Sequence, residues 1–141
     1  MAVVAVTSAN VRALTSHGAI VLPGTAGATV TNGYLVYAAA DGDWEHADAN
    51  AAGLEGVMGV CVETYDGEDT VIAGNALSVC VKGPVSGFTG LVAGAIYYLS
   101  DTVGRLDDAT GTFDRLIGRG VELAGEVVLW VDITLTDAAS A

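Results

Sequence analysis

The segment Gly94-Ala95-Ile96-Tyr97-Tyr98-Leu99-Ser100-Asp101 carries the clearest structural signal in the chain. A turn glycine leads into a run of β-branched, aromatic and aliphatic residues, which are the residue types that favour strands. Ser-Asp and then Gly104 close the run with a second turn signal. The pattern predicts a short strand held between two tight turns.

A weaker copy of this pattern begins upstream at Gly33-Tyr34-Leu35-Val36-Tyr37. Each copy is followed by a second matching run, residues 58–63 in the first case and residues 117–122 in the second. A sliding offset of about sixty residues superposes both pairs, which indicates a degenerate duplication of one small β unit. Chance similarity between two β-rich segments stays open as the alternative.

The composition favours an all-β fold. Nineteen glycines, two prolines and only 6% aromatic residues are typical of many tight turns and a shallow core of small side chains. Turn signals recur every eight to twelve residues or so, which predicts a small β-barrel, a β-tulip-like domain or a sandwich. We divide the chain into an extended arm (1–18), copy one (19–82), a linker (83–93), copy two (94–135) and a frayed tail (136–141).

The first eighteen residues differ from the rest because Arg12 and His17 are their only ionisable side chains. The valines favour extended backbone, yet no turn follows closely enough to fold them into a local hairpin. An isolated strand leaves its backbone groups unpaired, so we interpret the segment as an arm that adds a strand to a partner. A first strand within its own barrel is the alternative. The candidate binding residues in the arm are Val3, Val4, Val6, Val11, Arg12 and Leu14.

Charge excludes two classes of partner. Seventeen acidic against five basic residues give a net charge of −12, whereas nucleic acids and anionic membranes require clustered cations. No targeting signal and no apolar run long enough to span a bilayer is apparent, so we expect a non-secreted product. Arg115 and Arg119 flank a predicted strand at i and i+4, which predicts one shared face. They are expected to pair with nearby carboxylates or with acidic groups across a subunit contact.

The sequence offers no recognisable reactive constellation, so we expect neither an enzyme nor a cofactor or metal site. His17 and His46 belong to no nucleophile–base motif, and the chain has too few clustered Cys and His residues for zinc. The many carboxylates lie in turn-rich loops, and none forms an accepted calcium loop. Cys61 and Cys80 are expected to be buried free thiols, with a disulfide between paired strands as the alternative.

Several motifs together resemble a segment found in virion proteins of tailed bacteriophages. They are Val81-Lys82-Gly83-Pro84-Val85, the Gly94–Asp101 run, Gly104-Arg105-Leu106, Ile117-Gly118 and the strand Val127-Val128-Leu129-Trp130-Val131. The segment occurs in capsid decoration (cement) proteins, head fibres and tail-fibre modules. The chain departs from the pattern after Leu106, where acidic and small residues replace the usual proline-containing stretch.

The resemblance implies a structural virion protein that binds the outer surface of an assembled capsid and bridges neighbouring capsomers. It implies the major capsid protein as partner, a homo-oligomer (most often a trimer), and a place on the capsid exterior after assembly in the host cytoplasm. Short length and the apolar arm favour a decoration protein over a fibre. The alternative is a receptor- or glycan-binding module of a fibre, with Trp44, Tyr65 and Phe88 as exposed aromatic platforms.

Overall fold

A computed structural model describes residues 3–50, 53–64 and 69–133. Within these ranges the chain is all-β, which confirms the predicted fold class. The helical content comprises two short 3-10 turns, Ser8–Asn10 and Thr15–His17, and none of the described helices is long and apolar enough to cross a membrane. The strands are β1 (Ala5–Val6), β2 (Arg12–Ala13), β3 (Ile20–Thr25), β4 (Val30–Thr31), β5 (Leu35–Ala38), β6 (Trp44–His46), β7 (Gly59–Thr64), β8 (Thr70–Val71), β9 (Ala76–Ser86), β10 (Phe88–Thr89), β11 (Ile96–Leu99), β12 (Leu106–Asp107), β13 (Leu116–Leu123) and β14 (Glu126–Asp132).

One antiparallel sheet of ten strands curls into a half-barrel. Its main path runs β12-β11-β13-β14-β9-β7-β5-β6, while β2 and β3 pair with the other edge of β9. The eleven-residue strand β9 is therefore the spine of the sheet: its first half pairs with β7, and its second half pairs with β14. Two short ribbons, β1–β10 and β4–β8, lie beside the large sheet.

The predicted linker is wrong over its first residues, because residues 83–86 continue β9 and residues 88–89 form β10. Gly83 and Pro84 have the composition of a turn, yet both are paired with β14. Gly83 adopts φ +103°, and a Cβ there would lie 2.6 Å from the Cα of Ala19. Glycine is used here for close backbone approach inside a strand rather than to end one.

The two predicted copies share strand order and register. The first unit runs β6-β5-β7-β9 and the second β12-β11-β13-β14. Val36 lies opposite Gly59 in the first unit, and Tyr97 lies opposite Gly118 at the equivalent pairing of the second. These pairs keep the offset that the sequence indicated. The architecture is what a duplicated β unit would produce, while the duplication as an event stays a prediction.

Both matched glycines have the same structural cause. A Cβ on Gly59 would lie 2.6 Å from the carbonyl oxygen of Cys80 on β9, and a Cβ on Gly118 would overlap the carbonyl oxygen of Trp130 on β14. Each unit thus needs a residue without a side chain where its third strand passes closest to its fourth.

Two hydrophobic clusters lie on opposite faces of the sheet. The inner core is shared by both units, since it includes Leu35 and Val60 from the first and Tyr97 and Leu129 from the second. The outer core covers the other face of the first unit only. It consists of Ala26, Val30, Val36, Trp44, Cys61, Val71, Leu77 and Val79.

The N-terminal segment is paired within its own chain, so the expectation of a free arm is corrected in favour of the alternative. β1 pairs with β10, β2 pairs with β9, and the Val4 N–H donates to the Leu106 carbonyl at 2.8 Å. Val11 is fully buried in the inner core. It fits between Gly33 and Gly87, where a Cβ on either glycine would lie within 2.8 Å of a Val11 atom. The hydrogen-bond partners of this segment are distant in sequence, so no nearby turn residue indicates them.

Candidate interaction surfaces

Reactive side chains do not converge in the part of the chain that the structure describes. No group of three or more His, Cys, Asp or Glu side chains there is placed to hold a metal ion. Ser16 Oγ lies 3.2 Å from His17 Nδ1, but both side chains are exposed on a 3-10 turn, where water competes for the contact. His46 Nε2 accepts a hydrogen bond from the Thr31 N–H at 3.0 Å, and burial lowers the pKa of this imidazole. His46 therefore serves as a structural acceptor.

The two cysteines are free and buried, and they lie on opposite faces of the sheet. Cys80 pairs with Val60 and belongs to the inner core, whereas Cys61 pairs with Val79 and belongs to the outer core. Opposite faces rule out the disulfide alternative without a change of register. Burial raises the pKa of the Cys61 thiol to about 12, so this thiol is inert near neutral pH.

The outward face of the second unit is only partly covered: Val128, which alternates with Trp130 along β14, is buried, whereas Arg119 and Leu116 are exposed. Arg119 on β13 lies opposite Trp130 on β14, and Trp130 lies opposite Pro84 on β9. The N–H of Leu14, the residue after β2, donates to the Pro84 carbonyl at 2.9 Å. Leu14 therefore continues the row of opposed residues formed by Arg119, Trp130 and Pro84. Directly opposed residues share a face of a sheet. We call this surface the bare face; its principal side chains are Arg12, Leu14, Ile20, Lys82, Leu116, Arg119, Val121 and Trp130.

Every exposed cation of the described residues lies on the bare face. Lys82 pairs with Ile20 on one side and Asp132 on the other, and Arg12 pairs with Ser86. Lys82 and Ser86 point the same way as Pro84, because alternate residues of a strand share a face. Arg12, Lys82 and Arg119 therefore lie on the same face of the sheet. The Lys82 Nζ to Asp132 Oδ1 distance is 4.0 Å between two exposed side chains, which is a weak surface pair.

The other two basic residues, Arg105 and Arg115, do not lie on the bare face. The Arg105 Nη2 donates to the Val4 carbonyl at 2.9 Å, and its guanidinium lies 5.4 Å from the centre of the Tyr34 ring. Arg115 is buried, so the prediction that Arg115 and Arg119 share a face is wrong. The register between β11 and β13 shifts at Tyr97/Tyr98, and the extra residue of this bulge reverses the alternation between the two arginines.

A groove of about 300 Å³ crosses the bare face. Leu116, Arg119 and Trp130 line it together with Gly118, Val121 and Asp132. Leu116 is 51% exposed, and Ile20 on the neighbouring edge strand is 50% exposed. The bare face therefore combines exposed aliphatic groups, a partly exposed indole and cations at its margin.

A second surface, the N-terminal patch, lies where two uncharged stretches meet. Residues 1–11 and 83–100 contain no Asp, Glu, Lys or Arg, and the β1–β10 pairing sets Ala5 opposite Thr89. Val3 is 39% exposed and Val92 is 62% exposed. A groove of about 350 Å³ runs between them, lined by Val3, Val4, Ala5, Thr89, Gly90, Val92, Ala95, Tyr97 and Asp108. The Val92 N–H donates to the Tyr97 hydroxyl at 2.8 Å, and this hydrogen bond holds Val92 at the edge of the groove.

The structure separates the sequence-predicted binding residues into three groups. Val3 and Val4 line the N-terminal patch, while Arg12, Leu14 and Arg119 lie on the bare face. The remaining three, Val6, Val11 and Arg115, are turned inwards or buried.

The aromatic side chains are placed differently from the prediction. Trp44 and Phe88 are buried in the two cores, so they are not exposed platforms, and Tyr65 lies outside the described residues. Sequence reasoning missed Trp130. A signal was available, because alternation places Val127, Leu129 and Val131 on one face of this strand and leaves Trp130 on the other.

A scan against protein-family models and a search of curated proteins found no match to this chain.

Proposed function

We propose that this protein is a structural virion protein that binds the outer surface of an assembled phage capsid and bridges neighbouring capsomers. The N-terminal patch is the observation that carries the proposal. It is a partly apolar surface whose groove is lined by a single carboxylate, Asp108, on a chain whose net charge is −12. The resemblance of the second unit to decoration proteins supports the capsid as the partner.

A largely apolar patch suits this role for a physical reason. Docking through the exposed side chains of Val3 and Val92 removes apolar surface from water, which is favourable, and costs less than burying a surface rich in charged groups. The acidic remainder of the chain stays hydrated and keeps neighbouring copies from aggregating. Many copies on one shell need only a modest affinity each when several contacts act together.

The test is co-sedimentation with purified empty shells. Val92→Asp, alone and with Val3→Asp, places charge in the patch and is expected to weaken binding about tenfold or more. Ile72→Asp is the matched control, because Ile72 is 60% exposed on a different part of the surface. Unfolding curves for all variants check that the fold is retained. Shell binding by the double variant equal to that of the wild type would contradict the proposal.

The second candidate is a glycan- or receptor-binding module. The partly exposed Trp130 beside Arg119 and Asp132 in the bare-face groove is the observation that favours it, because sugars stack on indoles and bond to such polar groups. Glycan-array binding that Trp130→Ala abolishes, without binding to shells, would favour this function over capsid decoration.

A further inference from the structure

We propose that the β4–β8 ribbon is a pH-sensitive cover, which lifts from the outer core when His46 is protonated and leaves the inner core packed. The cover is a device of the first unit alone. It lies on a different surface from the N-terminal patch, so the proposal does not depend on capsid binding.

The ribbon is attached to the rest of the molecule mainly at its two ends. At one end the Ala26 N–H donates to the Asn75 carbonyl at 2.9 Å, and at the other the Gly33 N–H donates to the Cys61 carbonyl at 2.6 Å. Between these ends each strand has two residues, and among the described strands β4 and β8 pair only with each other. A segment with so few backbone contacts belongs to the least stable part of a fold and can open without global unfolding.

Two kinds of contact hold the middle of the ribbon against the sheet. Val30 and Val71 are 0% and 3% exposed, and both side chains pack in the outer core. The second contact is a hydrogen bond from the Thr31 N–H on β4 to His46 Nε2 on β6, at 3.0 Å. A backbone donor of the ribbon is therefore bound to a side chain that titrates near neutral pH.

His46 can accept this hydrogen bond only while its imidazole is neutral. Nε2 accepts through a lone pair, and a proton bound there turns the nitrogen into a donor. Protonation would then set two N–H groups against each other and place a positive charge in a half-buried site. Burial lowers the pKa of His46, which is the direction expected when the closed ribbon disfavours the charged ring.

The groups around His46 do not favour the proton either. The Tyr34 ring faces His46 at a centroid distance of 5.0 Å, and the Arg105 guanidinium lies 5.4 Å from the centre of the same Tyr34 ring. Glu45 precedes His46 on β6, and alternation turns it towards the opposite face. Asp69, beside β8, is exposed to water. Release of the ribbon is therefore the response left to a protonated His46.

Opening the ribbon would leave most of the molecule folded. The outer core belongs to the first unit alone, whereas the inner core is shared by both units. The two free cysteines are divided between these cores, with Cys61 in the outer one and Cys80 in the inner one. Lifting the ribbon exposes Cys61 and leaves Cys80 covered, so the two thiols report on the two faces separately.

The experiment is thiol labelling of the full chain at pH 7.5 and 5.5 with 4,4′-dithiodipyridine, a small disulfide that also reacts in acid. Peptide mass spectrometry measures the labelling rates at Cys61 and Cys80. Global unfolding exposes both thiols, so the ratio of the Cys61 rate to the Cys80 rate rises only when the ribbon opens separately. Acid is expected to raise this ratio several-fold, because one proton can shift the opening equilibrium by at most about tenfold for each pH unit below about 6.5.

Two variants separate the proton acceptor from the cover. His46→Gln keeps an amide oxygen that can accept from Thr31 but does not titrate, so the ratio should no longer depend on pH. Val71→Ala removes apolar contact beneath the ribbon and should raise the ratio about tenfold at pH 7.5. Ile72→Ala is the matched control, because the neighbouring Ile72 is 60% exposed and should leave the ratio unchanged. Unfolding curves check that each variant is folded.

Three outcomes would overturn the proposal. One is a wild-type ratio that is the same at both pH values. Another is a ratio that rises in acid as much in His46→Gln as in the wild type, which would assign the effect to a different group. The third is a Val71→Ala variant in which both thiols are labelled faster by the same factor, because the ribbon would then open only with the whole protein. None of these outcomes bears on shell binding by the Val92→Asp variant, so this proposal and the proposed function fail separately.

Discussion

The two units of this protein share their strand order and register but differ in what covers them. In the first unit, β4 and β8 form a ribbon that contributes Val30 and Val71 to the outer core. Along the chain, β8 belongs to the connection between β7 and β9. The equivalent connection of the second unit, between β13 and β14, is a tight turn at Ala124 and Gly125. The second unit therefore lacks a counterpart of this ribbon. The face that the ribbon covers in the first unit corresponds to the inward face of the second unit, because Val79 in the outer core matches Leu129 in the inner core.

The units also turn opposite faces towards the shared core. Val36 belongs to the outer core, yet its equivalent Tyr97 belongs to the inner core. At the equivalent of the buried Val60–Cys80 pair, the second unit has exposed Arg119 and partly exposed Trp130. Register is a property of the backbone, while burial depends on what the rest of the chain brings to each face.

The two tryptophans give the sharpest test of this comparison. Trp44 is 6% exposed in the outer core, so Trp44→Ala is expected to cost about 3–5 kcal/mol in the free energy of unfolding. Trp130 lies on the bare face and loses fewer contacts, so Trp130→Ala is expected to cost about 1 kcal/mol or less in the isolated chain. Urea denaturation of both variants measures the difference. Equal losses would show that the second unit is covered as fully as the first.

The matched glycines test whether the two units share one geometric requirement. Gly59→Ala and Gly118→Ala each force a Cβ against the backbone of the next strand, and both are expected to destabilise the protein by about 2–4 kcal/mol. Gly56→Ala is the control, because a Cβ at Gly56 meets no atom within 4 Å. Thermal unfolding compares the three variants. A large effect at only one of the two matched positions would break the equivalence of the units.

The glycine pattern was also the part of the structure that the sequence predicted best. Turn glycines, alternating strands and the matched runs around Gly59 and Gly118 all act locally, so a single sequence contains them. The position of the N-terminal segment was not predictable in this way. Val11 packs against Gly33 and Gly87, and β2 pairs with the far end of β9, so the deciding contacts are distant in sequence.

Errors at the candidate site had a related cause. The face of Arg115 depended on a bulge that no residue type announces, and strict alternation therefore placed it wrongly. Gly83-Pro84 had the composition of a turn, yet its two neighbouring strands hold it inside β9. The face of Trp130 was predictable from alternation, but its partial exposure was not, because burial depends on what distant parts of the chain bring to each face.

Val11 tests the contribution of the N-terminal segment to the core that both units share. Val11→Ala leaves a cavity between two backbone turns and is expected to cost about 2 kcal/mol in the free energy of unfolding. Val103→Ala is the matched control, since Val103 is 47% exposed and should change stability by less than about 0.5 kcal/mol. A neutral Val11→Ala variant would mean that residues 3–18 are bound loosely and are free to contact a partner after all.

The smallest expected effect concerns the ribbon that closes the first unit. The Thr31 N–H on β4 donates to His46 Nε2 on β6, and the His46 ring lies 5.0 Å from the ring of Tyr34. Burial lowers the pKa of His46 below its ordinary value of 6.5, so the unfolded chain binds a proton more readily than the folded one. The free energy of unfolding should therefore fall as the pH drops below about 6.5 and should not depend on this group above it. Urea denaturation of the wild type at pH 7.5 and 5.5 measures the change. Protonation also removes the acceptor that this ring offers to the Thr31 N–H. His46→Gln removes the titrating imidazole, so the variant should have a flatter pH dependence. If the slope is unchanged, another group causes the pH dependence.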